Sequence, residues 1–387
     1  MMSSRPYKIV YCTPALYSAG GVERIVSFKA SYFAERLGYD VIIIVTEGRG
    51  RECFFPLSDQ VKVVNFELGF EELWKASFLR KVFLYLSKQR KYKKMLSAEL
   101  MRIQPDITIS MLRREINFLT SLKDGSKKIG ELHVNRGNYR NFEENDSNLL
   151  KRIFSWLWMK NLVVQLKKLN QLVVLTEKSR SAWPELTNVS VIPDPIPLSL
   201  PMSNGTNVKR VITIGRYAYQ KGYDLLLQAW AEVEKQYTDW TLEIYGMGDQ
   251  SGYRQLMVDL CIDVDRCHLN GPVDDVEKVY KESSIFVLSS RFEGFGLVLV
   301  EAMESGLSVV SFDCPAGPDE IITDGYDGLL ASSGDVKALA NNLMLLMADE
   351  KLRKRLSHNA RQSARQYEMD LIADRWVDLF NKLMTKS

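Results

Sequence analysis

The chain has 387 residues, 46% of them hydrophobic and 26% charged, a balance that fits a folded globular protein and excludes a disordered or low-complexity chain. That length is too great for one ordinary core, so two α/β domains of similar size are expected. The net charge of +3 hides an asymmetry: residues 1–195 carry 31 Lys+Arg against 20 Asp+Glu (+11), and the other 192 carry 20 against 28 (−8). A basic first half joined to an acidic second half implies that the first half meets something anionic: a nucleic acid, a phosphorylated acceptor or an acidic membrane surface.

The opening, Met1-Met-Ser-Ser-Arg5-Pro, runs into a strand without an apolar signal core. The longest aliphatic run near it, Val41-Ile-Ile-Ile-Val45, has strand length and is far short of a membrane span. The five cysteines (Cys12, Cys53, Cys261, Cys267 and Cys314) are odd in number and scattered. They indicate neither a disulfide framework nor a zinc site, and a reducing, cytoplasmic setting is expected.

Lys8–Cys12 reads as a buried first strand, followed by a loop containing Gly20-Gly21 and a helix through Leu37. A strand, a glycine loop and a helix can form a phosphate-binding opening, although the G-x-G-x-x-G fingerprint is missing and a structural loop is an equal alternative. Val41–Val45 and Val61–Val64 read as the next strands.

Residues 73–103 are expected to be a long helical segment with Trp74, Phe78, Val82, Phe83 and Leu86 on one side. Its other residues include eight cations (Lys75, Arg80, Lys81, Lys88, Arg90, Lys91, Lys93 and Lys94), with no acid between Glu72 and Glu99. Either a solvated face or contact with an anionic leaflet or lipid pyrophosphate explains them, since each Lys or Arg near such a surface contributes on the order of 1 kcal/mol. No RNA-binding motif or helix-turn-helix pattern accompanies them, so nucleic acid is not expected as a partner.

Ile107–Ser110 and Lys128–His133 read as further strands, the second ending on one of only three histidines. Leu149–Leu169 is again apolar and basic, with Phe154, Trp156 and Trp158 among Lys151, Arg152, Lys160, Lys167 and Lys168. It suits a membrane interface, or a helix packed on the sheet. Leu172–Leu175 is expected to be the last strand of the first domain, and Pro193-Asp194-Pro195-Ile-Pro197 to be a hinge, because closely spaced prolines break both helix and ladder.

The second domain starts afresh with Arg210–Ile214, then Gly215-Arg216, Lys221-Gly222 and a helix from Leu225. This spacing lets two cations converge over one helix start, as a departing diphosphate requires. Tyr245-Gly246-Met-Gly248 closes the next strand in a glycine loop, and His268-Leu-Asn-Gly271-Pro272 reads as a short strand and turn. After the strand Ile285–Ser289 comes Glu293-Gly294-Phe295-Gly296-Leu297, and then a helical run containing Glu301. A glycine turn entering a helix leaves backbone N–H groups for an anion, and two carboxylates eight residues apart can reach separate hydroxylated rings. Considered alone, the turn also fits a tight βα connection with a solvated glutamate.

These motifs together resemble the retaining glycosyltransferases with the GT-B fold, in particular glycosyltransferase family 4 of the bacterial polysaccharide and lipid-linked oligosaccharide type. Glu293 and Glu301 match the two acids of the E-x7-E signature, with Gly294-Phe295-Gly296 between them. The resemblance covers nearly all of the second half, plus the Gly20-Gly21 loop and His133. It implies an α/β GT-B fold of two Rossmann-like domains facing across a cleft. An acceptor-binding domain would span residues 1–192 and a nucleotide-sugar-binding domain 193–368. A C-terminal helix at about 369–387, with Leu371, Trp376 and Phe380 inward, would cross back to the first domain.

It further implies transfer of a hexose or N-acetylhexosamine from a nucleotide sugar, with UDP the better guess, to a saccharide acceptor. Arg216, Lys221, Glu293 and His133 are the candidate catalytic residues. Gly20, Gly21, Gly215, Gly246, Pro272, Gly294, Phe295, Gly296, Leu297 and Glu301 are expected to bind the donor, with Glu301 on the ribose and Gly317 near the diphosphate. Family members usually carry Asn where this chain has Asp194, which is expected to face the hinge or a backbone N–H. The two cations can replace a metal, so neither metal nor cofactor is expected. The basic first half favours a polyprenyl-diphosphate-linked acceptor and a peripheral place at the inner face of the cytoplasmic membrane. The alternatives are a soluble acceptor, a UDP-sugar epimerase of the same fold, or a non-catalytic partner of another transferase.

Overall fold

The structure is a computed structural model and describes residues 5–48, 50–75, 78–139, 149–196, 203, 208–273 and 275–385. Pro197 and Met1–Ser4 lie outside them, as do the side chains of Trp74, Lys75, Phe78, Lys151, Arg152 and Phe154. The chain divides into two compact units: Met1–Pro195 with Ile372–Ser387, and Ile196–Leu371.

The first unit is built on β1 (Lys8–Thr13), β2 (Asp40–Val45), β3 (Lys62–Asn65), β4 (Ile107–Ser110), β5 (Lys127–Leu132), β6 (Gln171–Val174) and β7 (Val189–Val191). All pairs are parallel, in the order β3-β2-β1-β4-β5-β6-β7. Parallel strands need covering on both faces, and β1, β2 and β4 accordingly consist of nearly unbroken buried residues. The last strand is β7, not the Leu172–Leu175 run. At three residues of intermediate burial, β7 carries too little apolar pattern to stand out in the sequence.

Helix Gly21–Glu35 buries Ile25, Val26, Ala30, Phe33 and Ala34. The basic segment divides into a 3-10 turn, Phe70–Lys75, and a helix, Phe78–Ile103. Tyr92, Leu96, Leu100 and Ile103 of that helix enter the core, whereas Val82, Phe83 and Leu86 are exposed. Its cations are not all solvated: Lys88 donates to the carbonyls of Leu68 and Gly69 and pairs with Glu72. The C-terminal helix Met369–Thr385 starts in the second unit and enters the first at Ile372. Phe380 packs edge-on against Tyr7 and Phe33. Trp376 and Phe380 are buried as expected, but Leu371 is 48% exposed, because Ile372, Ala373 and Leu379 share the inward face instead.

The second unit repeats the plan with β8 (Arg210–Ile214), β9 (Thr241–Tyr245), β10 (Cys267–Asn270), β11 (Ile285–Leu288), β12 (Ser308–Asp313) and β13 (Leu329–Ser332), in the order β10-β9-β8-β11-β12-β13. Trp230, Trp240, Leu242, Val287 and Leu343 lie in its core. Each sheet reverses its winding once, between β1 and β4 and between β8 and β11. Ligands of open α/β sheets bind at the carboxyl ends of the strands at such reversals. Among the described residues no helix is long and apolar enough to cross a membrane.

Candidate active site

The reversal between β8 and β11 collects the charged residues singled out in the second half. Gly215 and Arg216 follow β8 directly, and Lys221 ends a 3-10 turn, Tyr219–Lys221, ahead of helix Tyr223–Val233. Glu293-Gly294-Phe295-Gly296 follows β11 and leads into helix Leu297–Glu304. Lys221 Nζ donates to Glu293 Oε1 at 2.6 Å, and Ser290 Oγ donates to the same oxygen at 2.5 Å. Arg216 is exposed and has no ion-pair partner among the described residues.

Two glycines make this approach possible. Gly222 sits at φ +61°, and a Cβ there would meet the Ser289 carbonyl oxygen at 2.1 Å, so only glycine lets the Lys221 loop lie against the end of β11. Gly296, at φ +104°, caps its helix without a side-chain acceptor for the first-turn N–H groups. Gly246 closes β9 against the backbone at Gly215, and its N–H donates to the Gly271 carbonyl at 3.1 Å, next to the exposed Pro272. Phe295 is buried edge-on against Tyr367, so it offers a ligand only its backbone. Glu301 is 1% exposed within its helix, and Tyr280 donates to its Oε2 at 3.1 Å.

The first unit holds a separate constellation. Gly20 caps helix Gly21–Glu35 in an extended conformation, with no side-chain cap. His133 follows β5 and is gripped at both ring nitrogens, Nε2 by Glu131 Oε1 at 2.9 Å and Nδ1 by Asp194 Oδ2 at 3.2 Å. Asp194 therefore pairs with His133, and the expected hinge or backbone contact is replaced by a side-chain one. Lys29 forms a buried ion pair with Glu131 and lies 4.4 Å from the centre of the Trp376 ring.

Burial alone would lower the His133 pKa, but Asp194 and Glu131 raise it to about 9, which makes the ring an imidazolium at neutral pH. Burial would raise the Glu131 carboxyl, yet Lys29 and His133 hold it at about 2. Glu131, His133 and Asp194 also form a group of metal-type ligands with atoms within 4.8 Å of one another. Each ring nitrogen already faces its own carboxylate, however, and Lys29 supplies a second cation, although Glu131 Oε2 and Asp194 Oδ1 stay buried without a hydrogen-bond partner among the described residues.

Residues 203–363 match the family described as Glycosyl transferases group 1. Together with the two Rossmann-like sheets, this match and the relatives below support a glycosyltransferase enzyme with the GT-B fold. An uncharacterized glycosyltransferase of Haemophilus influenzae is 26% identical over 95% of this chain and 98% of its own length. Two other relatives match more closely over shorter stretches. The amylovoran biosynthesis glycosyltransferase AmsD of Erwinia amylovora is 33% identical over 44% of this chain and 48% of itself. A Campylobacter jejuni N-acetylgalactosaminyltransferase, named for a diphospho-undecaprenol-linked acceptor, is 38% identical over 30% of this chain and 31% of itself. The chain thus spans less than half the length of these two relatives. Among solved structures, the sucrose-phosphate synthase of Thermosynechococcus elongatus superposes with a TM-score of 0.82 at 17% identity, covering 98% of this chain and all of that one. Anabaena HepE in complex with UDP and glucose superposes at 0.71 with 16% identity, covering 97% and 100%.

Several residues at these centres escape sequence reasoning: Lys29 and Glu131 in the first unit, and Asp224, Tyr280, Ser290 and Arg291 in the second. Only Glu131 carried a local signal, since it stands two residues before His133 on a strand and shares its face.

Proposed function

We propose that the protein is a retaining glycosyltransferase of the family 4 type that moves a hexose or N-acetylhexosamine from a UDP-sugar to a lipid-linked saccharide during surface polysaccharide assembly. The observation that carries this reading is the convergence of Lys221, Glu293 and the uncapped start of helix Leu297–Glu304 at the sheet reversal, with Arg216 exposed beside them. Arg216, Lys221 and the helix start stabilise the departing diphosphate, by the same logic as an oxyanion hole. Glu293 and the Gly294–Gly296 backbone orient the sugar, Glu301 holds the ribose, and Gly215, Gly246 and Pro272 let the nucleotide approach the backbone. In the first unit, His133 and the Gly20–Gly21 loop are the candidates for donor recognition. The two cations carry out the charge stabilisation that a metal would otherwise supply.

The acceptor reading is supported by the excess positive charge of the first unit and by its exposed apolar side chains. Phe83 is 73% exposed and Trp156 60% exposed, near the exposed cations Arg80, Arg90 and Lys160. Such a surface suits an anionic membrane and supports a peripheral position at the inner face. The diphospho-undecaprenol-linked acceptor in the name of the Campylobacter relative and the UDP held by HepE support the same choice.

The test is incubation of the protein with radiolabelled UDP-sugars, with and without a polyprenyl-diphosphate-linked saccharide extract. Label moving into the lipid fraction, at a rate unchanged by a chelator, is the expected result. An epimerised sugar nucleotide formed without acceptor would instead make the protein an isomerase.

A further inference from the structure

Lys221 and Glu293 lie on two different loops, so their 2.6 Å contact depends on whatever registers one loop against the other. Part of that registration is ordinary: Arg291 N donates to the Gln220 carbonyl at 2.8 Å, and the Ser289 side-chain Oγ donates to the Lys221 carbonyl at 2.9 Å. One element is not ordinary. The Arg291 guanidinium forms a two-pronged pair with Asp224, at 2.8 Å to Oδ1 and 2.6 Å to Oδ2. It also donates to the Tyr219 carbonyl at 2.9 Å and stacks 4.1 Å from the centre of the Tyr219 ring.

Arg291 thus stands two residues before Glu293 and Asp224 three residues after Lys221, so the pair ties the two loops together close to both functional groups. Asp224 also lies in the first turn of helix Tyr223–Val233, where the helix dipole favours a carboxylate. The Arg291 side chain is 20% exposed and that of Asp224 35%. An ion pair with that much water access would contribute little if it were a single contact. The forked geometry and the aromatic stack fix its direction as well as its distance.

We infer that Arg291 and Asp224 are positioning residues of the diphosphate site, acting through Lys221 and Glu293 without touching the nucleotide. This rests on the reading of Lys221 as a diphosphate-binding cation. A guanidinium at this place could instead be a direct phosphate ligand, but all its described contacts turn it toward Asp224 and Tyr219. Because the pair works by holding Lys221 in place, its loss should matter only while Lys221 is present.

The experiment is a mutant cycle read by calorimetric titration with UDP. Arg291→Gln and Asp224→Asn are each made alone, together, and in a Lys221→Ala background, and thermal melting checks that every variant is folded. Each single variant is expected to weaken UDP binding about tenfold, and the Arg291→Gln/Asp224→Asn double to weaken it no further, as coupled residues do. In the Lys221→Ala background Arg291→Gln should change affinity less than about twofold. An equal loss in both backgrounds would overturn the inference, because Arg291 would then act independently of Lys221. So would unchanged affinity in the single variants, with Lys221→Ala still weakening UDP. If Lys221→Ala itself binds UDP as tightly as the parent, the reading of the site fails, and this inference fails with it.

Discussion

The two charged centres differ in how their charges are matched. In the first unit, Lys29, Glu131, His133 and Asp194 are all buried or nearly so, with two cations against two carboxylates. In the second, Lys221 has one carboxylate partner, Glu293, while Arg216 beside it is exposed with no partner among the described residues. Both sit at the carboxyl ends of strands in sheets of the same winding. Sheets of one plan thus carry two different centres, and the residues placed there decide which is an ion network and which keeps positive charge available for an anion. A buried, balanced network contributes specificity of structure more than net stability, whereas an unmatched cation at a helix start is suited to bind.

The largest effect that would sharpen this contrast comes from opening the closed centre. Lys29→Met leaves Glu131 buried without its main cation, and a loss of about 3–5 kcal/mol in unfolding free energy is expected by denaturant titration. A loss below about 0.5 kcal/mol, typical of exposed pairs, would mean the first centre is as open as the second. Next comes Lys221→Ala, expected to lower transferase turnover by about 10²-fold or more while leaving the melting temperature nearly unchanged. A large drop in melting temperature with little change in turnover would reverse the roles assigned to the two centres.

A third effect is the pH response of the closed centre. The folded His133 pKa lies above the ordinary histidine value, so its contribution is complete below about 6.5 and disappears as pH rises through about 9. The folded Glu131 pKa lies below the ordinary carboxyl value, so its contribution is complete above about 4.5 and disappears as pH falls through about 2. Denaturant titrations across pH should show both limbs. In Asp194→Asn the alkaline limb should begin at lower pH, because one of the two carboxylates raising the His133 pKa is gone. An unmoved alkaline limb would separate Asp194 from the network. The smallest effect concerns the surface: neutralising Arg90, Lys91, Lys93 and Lys94, all exposed on helix Phe78–Ile103, should release the protein from anionic vesicles in a sedimentation assay. Full retention would leave those residues as a solvated face.

What could be read in the sequence followed local pattern. The apolar runs at Lys8–Cys12, Val41–Val45 and Ile285–Ser289 announce buried parallel strands, and the glycines at 215, 222 and 296 mark where loops must turn or approach closely. The α/β fold class and the neighbourhood of Lys221 with Glu293 could be expected from those signals together with the family resemblance. Pairings set by the winding of the sheet left no such trace. Lys29 and Glu131 are 102 residues apart, His133 and Asp194 are 61 apart, and Arg291 and Asp224 are 67 apart. A charged residue far along the chain looks solvated until the topology brings its partner beside it. Leu371 misled for the opposite reason, since its apolar side chain falls just outside the buried stripe of a strongly amphipathic helix.

The central claim is tested most directly by determining the structure of crystals soaked with UDP. The account predicts diphosphate density at the carboxyl ends of β8 and β11, within hydrogen-bond reach of Lys221 and Arg216 and against the start of helix Leu297–Glu304. Nucleotide bound elsewhere on the molecule, with Lys221 still paired only to Glu293, would contradict it.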